Sequence, residues 1–182
     1  KTLNLVGEGQ DKVTVYPALS DPKVCSNASI CDGSSNIFLV RADNVKISGF
    51  TLDGDNPALT SGVLVGGADL NARIGIVTDH LTGNFTGLEV FDTTVKNIYL
   101  RGIYASSGAY HFHKNTVSNV QGEAGSIAIF GWSGPGKIEA NTVSYASDAI
   151  SANWSIKTEI LGNTISHSGS GIHLDNTGDA AG

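Results

Sequence analysis

The sequence predicts an all-β fold, a single-stranded right-handed parallel β-helix of about eight coils, and three observations predict it. A degenerate repeat of 22 to 26 residues runs through the second half of the chain. Two independent sequence markers keep that same period. The composition also suits pleated strands and tight corners better than helices: Ile, Val, Thr, Ser and Asn abound, Gly supplies 23 of 182 residues, and Met is absent.

The first marker is an Asn-led corner. Asn115-Thr116-Val117-Ser118, Asn141-Thr142-Val143-Ser144 and Asn163-Thr164-Ile165-Ser166 recur at spacings of 26 and 22. An apolar residue stands three positions before each Asn, at Phe112, Ile138 and Ile160. The frame extends upstream to Ile47-Ser48-Gly49-Phe50, with Phe50 at the Asn position, and to Ile76-Val77-Thr78-Asp79, with Asp79 there. The second marker is a small residue followed by Ile: Gly102-Ile103, Ser126-Ile127, Ala149-Ile150 and Gly171-Ile172. Between markers each unit reads as three short strands, with the Asn at a sharp corner whose left-handed backbone it tolerates. A unit this small cannot bury its own apolar face. It must stack, placing Ile127, Ile150 and Ile172 in one column, Ile138 and Ile160 in another, and the asparagines in a ladder. The whole chain, 1–182, is expected to be one such domain, with an inserted loop at about 17–35 and a weaker frame between Asp79 and Gly102.

These residues resemble the right-handed parallel β-helix proteins of the pectate-lyase-like superfamily, many of which carry an Asn-Thr-Ile-Ser type of corner. Leu5-Val6-Gly7-Glu8-Gly9, Val13-Thr14-Val15 and Ala42-Asp43-Asn44-Val45-Lys46-Ile47-Ser48-Gly49-Phe50 look like the first coils of such proteins. The resemblance implies a carbohydrate-facing groove along one strand of each coil. It does not extend to the enzymatic motifs: the Asn-Thr-Asp, paired Asp, Gly-His-Gly and Arg-Ile-Lys of polygalacturonase-like relatives do not occur, and Arg101 is the one cation beside the groove that could serve as the base of a lyase.

Charge and cysteine usage limit the function classes. Eleven basic against seventeen acidic residues give −6, with no basic cluster to follow a phosphate backbone, so nucleic acid is not an expected partner. Apolar runs such as Ile37 to Val40 are too short to cross a bilayer as a helix. Cys25 and Cys31 lie in a polar stretch with no histidine to complete a zinc site, leaving a disulfide or two free thiols, with the disulfide favoured. Asn27, Asn84 and Asn153 each open an N-glycosylation acceptor pattern. An extracellular or cell-surface location is expected. No basic-then-apolar leader opens the chain at Lys1, and neither end carries a capping helix, which fits a piece of a longer β-helix or a subunit that stacks end to end.

Alternation along the first strand of each coil turns Phe38, Leu64, Glu89, Tyr104, Ala128, Ser151 and His173 outward. Phe38, Phe91, Tyr104 and Phe130, with Trp132 and Trp154 in adjoining turns, could form a platform for sugar rings. Cover by a loop or another subunit is the favoured alternative. His173 and Asp175, with Ser151 and Asn153 one coil below, form a weak catalytic candidate, joined by Arg101. His111 and His113 flank Phe112 and share the outer face near Lys137 and Glu139, a spacing that could bind a metal or exchange protons near neutral pH; the sequence shows no third ligand, and a solvated surface pair is the favoured reading. Asp53 and Asp55, and Asp175 and Asp179, lie in oxygen-rich turns that could hold Ca²⁺, but neither completes a recognised calcium loop and plain turn formation is the favoured reading. The reading is a secreted or cell-surface module with a structural, assembly or glycan-contact role and carbohydrate or protein partners, self-assembly included. A polysaccharide lyase or glycoside hydrolase acting on a glycan, uronate-containing or neutral, is the alternative.

Overall fold

The computed structural model describes residues 2–26 and 28–175; Asn27 and Asp179 lie outside them. Apart from one small hairpin, short strands pair in parallel and stack into three faces that wind about the main apolar core. Parallel neighbours joined by crossovers of this kind wind right-handed. The first face is a 6-stranded sheet: Leu3–Val6, Val45–Ser48, Leu88–Phe91, Tyr110–His113, Gly136–Glu139 and Glu159–Leu161. An 11-stranded sheet supplies both other faces, because Thr94–Ala105 runs unbroken through a corner and pairs on its first half with Thr51–Asp53 and Thr116–Val120, on its second with Ala72–Thr78 and Ile127–Trp132. The first face is six strands deep where about eight coils were expected, because two insertions consume chain without adding rungs. Residues 16–35, Asn27 aside, form the first. The second, 54–71, carries a small antiparallel hairpin of Leu64–Val65 and Ala68–Asp69.

The interior columns decide the register. On the first face Leu5, Ile47, Val90, Phe112, Ile138 and Ile160 pair in succession. On the third, Ile76, Ile103, Ile129, Ile150 and Ile172 do so. Three expectations need correction here. Ile129, two residues later than expected, occupies the column; Ile127 pairs with Arg101 and Asp148 and belongs to a separate outer cluster. Ile76 belongs to the third face and not to the Asn-led frame, whose missing rung is Val90 with Thr93. Leu64 leaves the wall altogether and is exposed on the hairpin, its rung being taken by Ala72–Thr78.

The asparagine ladder forms, but the asparagines are not the left-handed residues. That backbone falls one position earlier, at Lys114, Ala140 and Gly162. The asparagines supply hydrogen bonds. Asn141 Oδ1 accepts from the backbone N–H and the side-chain amide of Asn115 at 2.9 and 3.0 Å, and Asn163 Oδ1 does the same for Asn141. Each Nδ2 also donates to a wall carbonyl, that of Val90, Phe112 or Ile138. At this corner the chain turns away from its strand partners, and the side chains satisfy backbone groups that the sheets leave over.

The insertion at 16–35 folds back onto the outer side of the third face. The Cys25–Cys31 disulfide closes its tip. Arg73, 2% exposed, donates from three guanidinium nitrogens to the carbonyls of Ser29, Pro22 and Ala28 at 2.8, 2.7 and 2.5 Å. Ile30 is thereby seated on Ile74, Val77, Tyr104, Ile127 and Phe130, a second apolar cluster outside the coil.

Candidate metal centre

Strand Tyr110–His113 buries Tyr110 and Phe112 and turns His111 and His113 outward, as alternation requires. Below it in register lie Glu89, opposite His111, and Phe91, opposite His113; above lie Lys137 and Glu139. The imidazoles reach diagonally in opposite directions. His113 Nε2 is 3.2 Å from Glu89 Oε1, and His111 Nε2 is 2.8 Å from Glu139 Oε1. The rings stack on each other with centroids 4.1 Å apart, and Phe91 stacks on His113 at 5.0 Å, nearly parallel. Phe91 thus fixes the His113 ring plane and is not part of a continuous aromatic strip.

Glu89, His111 and His113 each bring one donor atom within 4.8 Å of the other two. Burial acts to raise the Glu89 carboxyl, but Lys46 Nζ at 2.5 Å and His113 outweigh it and hold it below the usual glutamate range. Lys137, 2.9 Å from Glu139 Oε2, is raised by that hydrogen bond, and Glu139 is correspondingly lowered. Two imidazoles and a carboxylate form a donor set suited to zinc, nickel and above all copper(II) among divalent ions. Two ligands each ~2.0 Å from one ion and at right angles lie ~2.8 Å apart, so the His113–Glu89 separation is close to that of neighbouring ligands. The residues present fit such an ion. Sequence reasoning found the histidines and missed Glu89 as the third donor, having placed it on the wrong face; the Glu89-x-Phe91 pattern one coil below His111-x-His113 was the available signal.

The other candidates are distributed around the coil. Tyr104, Phe130, Ser151 and His173 do share one outward column, and Asn153 and Asp175 the next. His173 and Ser151 are engaged separately: His173 Nδ1 bonds Asp148 Oδ2 at 2.9 Å, while Ser151, fully buried, donates to Asn153 Oδ1 at 2.7 Å. Phe38 faces inward, packing edge-on to Phe50 at 5.8 Å, since it pairs with Ile76 and not with the outer column. Tyr104 and Phe130 are buried beneath the inserted loop; Trp132 and Trp154 remain exposed, 6.3 Å apart. Asp53 is buried and engaged by Lys96 Nζ, Asn97 Nδ2 and Asp55 N, so its oxygens already serve the wall. Asp55 is half-buried beside it and Asp175 is exposed. Asn84 is exposed, whereas the acceptor Asn153 is buried.

The family described as periplasmic copper-binding protein (NosD) matches residues 6–181. The chain belongs to the NosD family. It matches none of the curated proteins and none of the solved structures with which it was compared. The NosD family is described as periplasmic, and the Cys25–Cys31 bridge agrees with a location outside the cytoplasm.

Proposed function

We propose that this chain is an exported β-helix module that binds copper, with Glu89, His111 and His113 as its protein ligands. The observation that carries the reading is the convergence of those three donor atoms on the one outer face where two histidines stand two residues apart. The NosD family description supports the choice of copper among the ions such donors accept.

Bound copper would supply a Lewis-acidic, redox-active centre on this wall. This chain's own residues orient the donors. Phe112, fully buried, anchors the strand from inside, and Phe91 holds the His113 ring against rotation. Lys46 keeps Glu89 ionised, and Glu139 provides His111 with a hydrogen-bond partner, the kind of outer support that fixes a ligating imidazole.

Titrating the protein with copper(II) while recording electron paramagnetic resonance and heat should show one ion per chain with nitrogen hyperfine structure. Replacing His111 or His113 with Gln should each weaken binding by more than the about 10- to 100-fold that loss of a ligand's outer support costs, and Glu89→Gln should weaken it with the nitrogen signature retained. Unaltered stoichiometry and spectrum in the double His variant would overturn this assignment.

A further inference from the structure

The disulfide-closed loop does not cover the third face completely. Between it and the wall lies a cleft of about 460 Å³, of the size that takes one or two rings. Ala28 and Ser29 of the loop form one side, held by Arg73. Tyr104 and Phe130, stacked at 4.6 Å, form the floor, and Trp132 stands edge-on to Phe130 at 6.0 Å beside the opening.

No carboxylate lines this cleft, whose titratable groups are Arg101, His80 and Tyr104. Arg101 lies over the Phe130 ring at 5.1 Å, and only its Nη1 is used, by the carbonyls of Leu100 and Gly125. Its Nε is buried without a partner, and no acidic side chain pairs with it among the described residues. His80 Nδ1 is likewise buried and unpartnered. Asn153 spends its carboxamide oxygen on Ser151, which leaves Nδ2 available to donate. Glu123 and Asp148 lie near enough to favour the Arg101 charge but neither pairs with it, so a cation with unused donors and two further polar groups against flat aromatic faces describe the complement of a ring bearing an anion.

We propose that this cleft binds a single-ring carboxylate, its carboxylate on Arg101 and its ring face against Phe130 and Trp132. A planar guanidinium with unused donors is the side chain best matched to a carboxylate, and the aromatic faces add a ring contact that a bare anion could not use. The same chemistry is offered by an aromatic acid and by a uronic acid. The site lies on a different face from Glu89, His111 and His113, and does not depend on copper.

Tryptophan fluorescence and calorimetry with benzoate, glucuronate and neutral glucose test this on the intact, oxidised protein. At least one acid should bind with a dissociation constant below about 1 mM, and glucose should bind about tenfold more weakly or not at all. Binding of benzoate alone identifies an aromatic acid, and of glucuronate alone a sugar acid. Arg101→Gln should weaken the bound acid about tenfold or more, with unfolding monitored in parallel. Trp132 is exposed, so Trp132→Ala leaves the buried side of the wall in place, and it should weaken binding several-fold. No binding of either acid, tighter binding of glucose, or an affinity unmoved by Trp132→Ala or by folded Arg101→Gln would overturn the proposal.

Discussion

Asn141 satisfies four hydrogen bonds with one side chain: two donated, to Phe112 O and Asn163 Oδ1, and two accepted, from Asn115. Asn141→Ala strands the Asn115 N–H and the Phe112 carbonyl inside the corner, and each unpaired buried group costs ~1 to 3 kcal/mol. A loss of about 2 to 4 kcal/mol in urea unfolding is expected, against almost none for exposed Asn84→Ala. Ile150→Ala, in the middle of a fully buried column, should cost about 2 to 5 kcal/mol through lost burial and a residual cavity. Its neighbour Ser151 is no neutral control, despite its outward position, because it is equally buried. At this scale the sequence was legible wherever a residue repeats. The three asparagines and Ile103, Ile150 and Ile172 were placed correctly. Ile127 was not, since strict alternation puts Ile127 and Ile129 on one side, whereas the strand breaks alternation there: Ala128 and Ile129 both enter the core and Ile127 and Phe130 face the outer cluster.

At the scale of elements, the loop at 16–35 was visible as an interruption, yet nothing in it indicated where it would lie. Its apolar content toward the wall is essentially Ile30, and its docking depends on Arg73, some forty residues away, reaching three carbonyls. Such partners leave no periodic trace. The second insertion was missed because Leu64-Val65 looks like a strand and is one, but pairs with Ala68-Asp69 and not with the wall. The loop has two fasteners, and they should separate. Reducing Cys25–Cys31 should cost on the order of 2 to 3 kcal/mol at most, since the closed segment is short. Arg73→Met keeps the disulfide but leaves three carbonyls without their donor. Hydrogen exchange in the wall strand Ile127–Trp132 should rise in Arg73→Met more than on reduction; the opposite order would mean that the bridge, not the arginine, holds the loop on the wall.

The molecule as a whole carries a built-in acid sensitivity that the copper and cleft assignments do not require. Burial pushes His80 down from its ordinary 6.5, because the folded interior disfavours the imidazolium. Asp79 is also lowered: burial alone would raise it, but Arg41 Nε at 2.6 Å, Thr82 Oγ1 at 2.9 Å and Leu81 N at 3.0 Å outweigh that. Asp69 is lowered chiefly by the Ser61 hydroxyl. In all three the folded value lies beneath the unfolded one, so the unfolded chain binds more protons in between. The stability they contribute is therefore present above the unfolded value and lost as pH falls through the folded one. Two stages should follow in a series of urea midpoints. The first is a shallow decline as pH drops below about 6.5, from His80; the second is a steeper one below about 4.5, from Glu89 and then the aspartates. His80→Gln should remove the first stage and keep the second. Asp79→Asn should lower stability at neutral pH and flatten the second, bringing the two proteins together in acid. A single transition untouched by either substitution would place the acid sensitivity elsewhere on the wall.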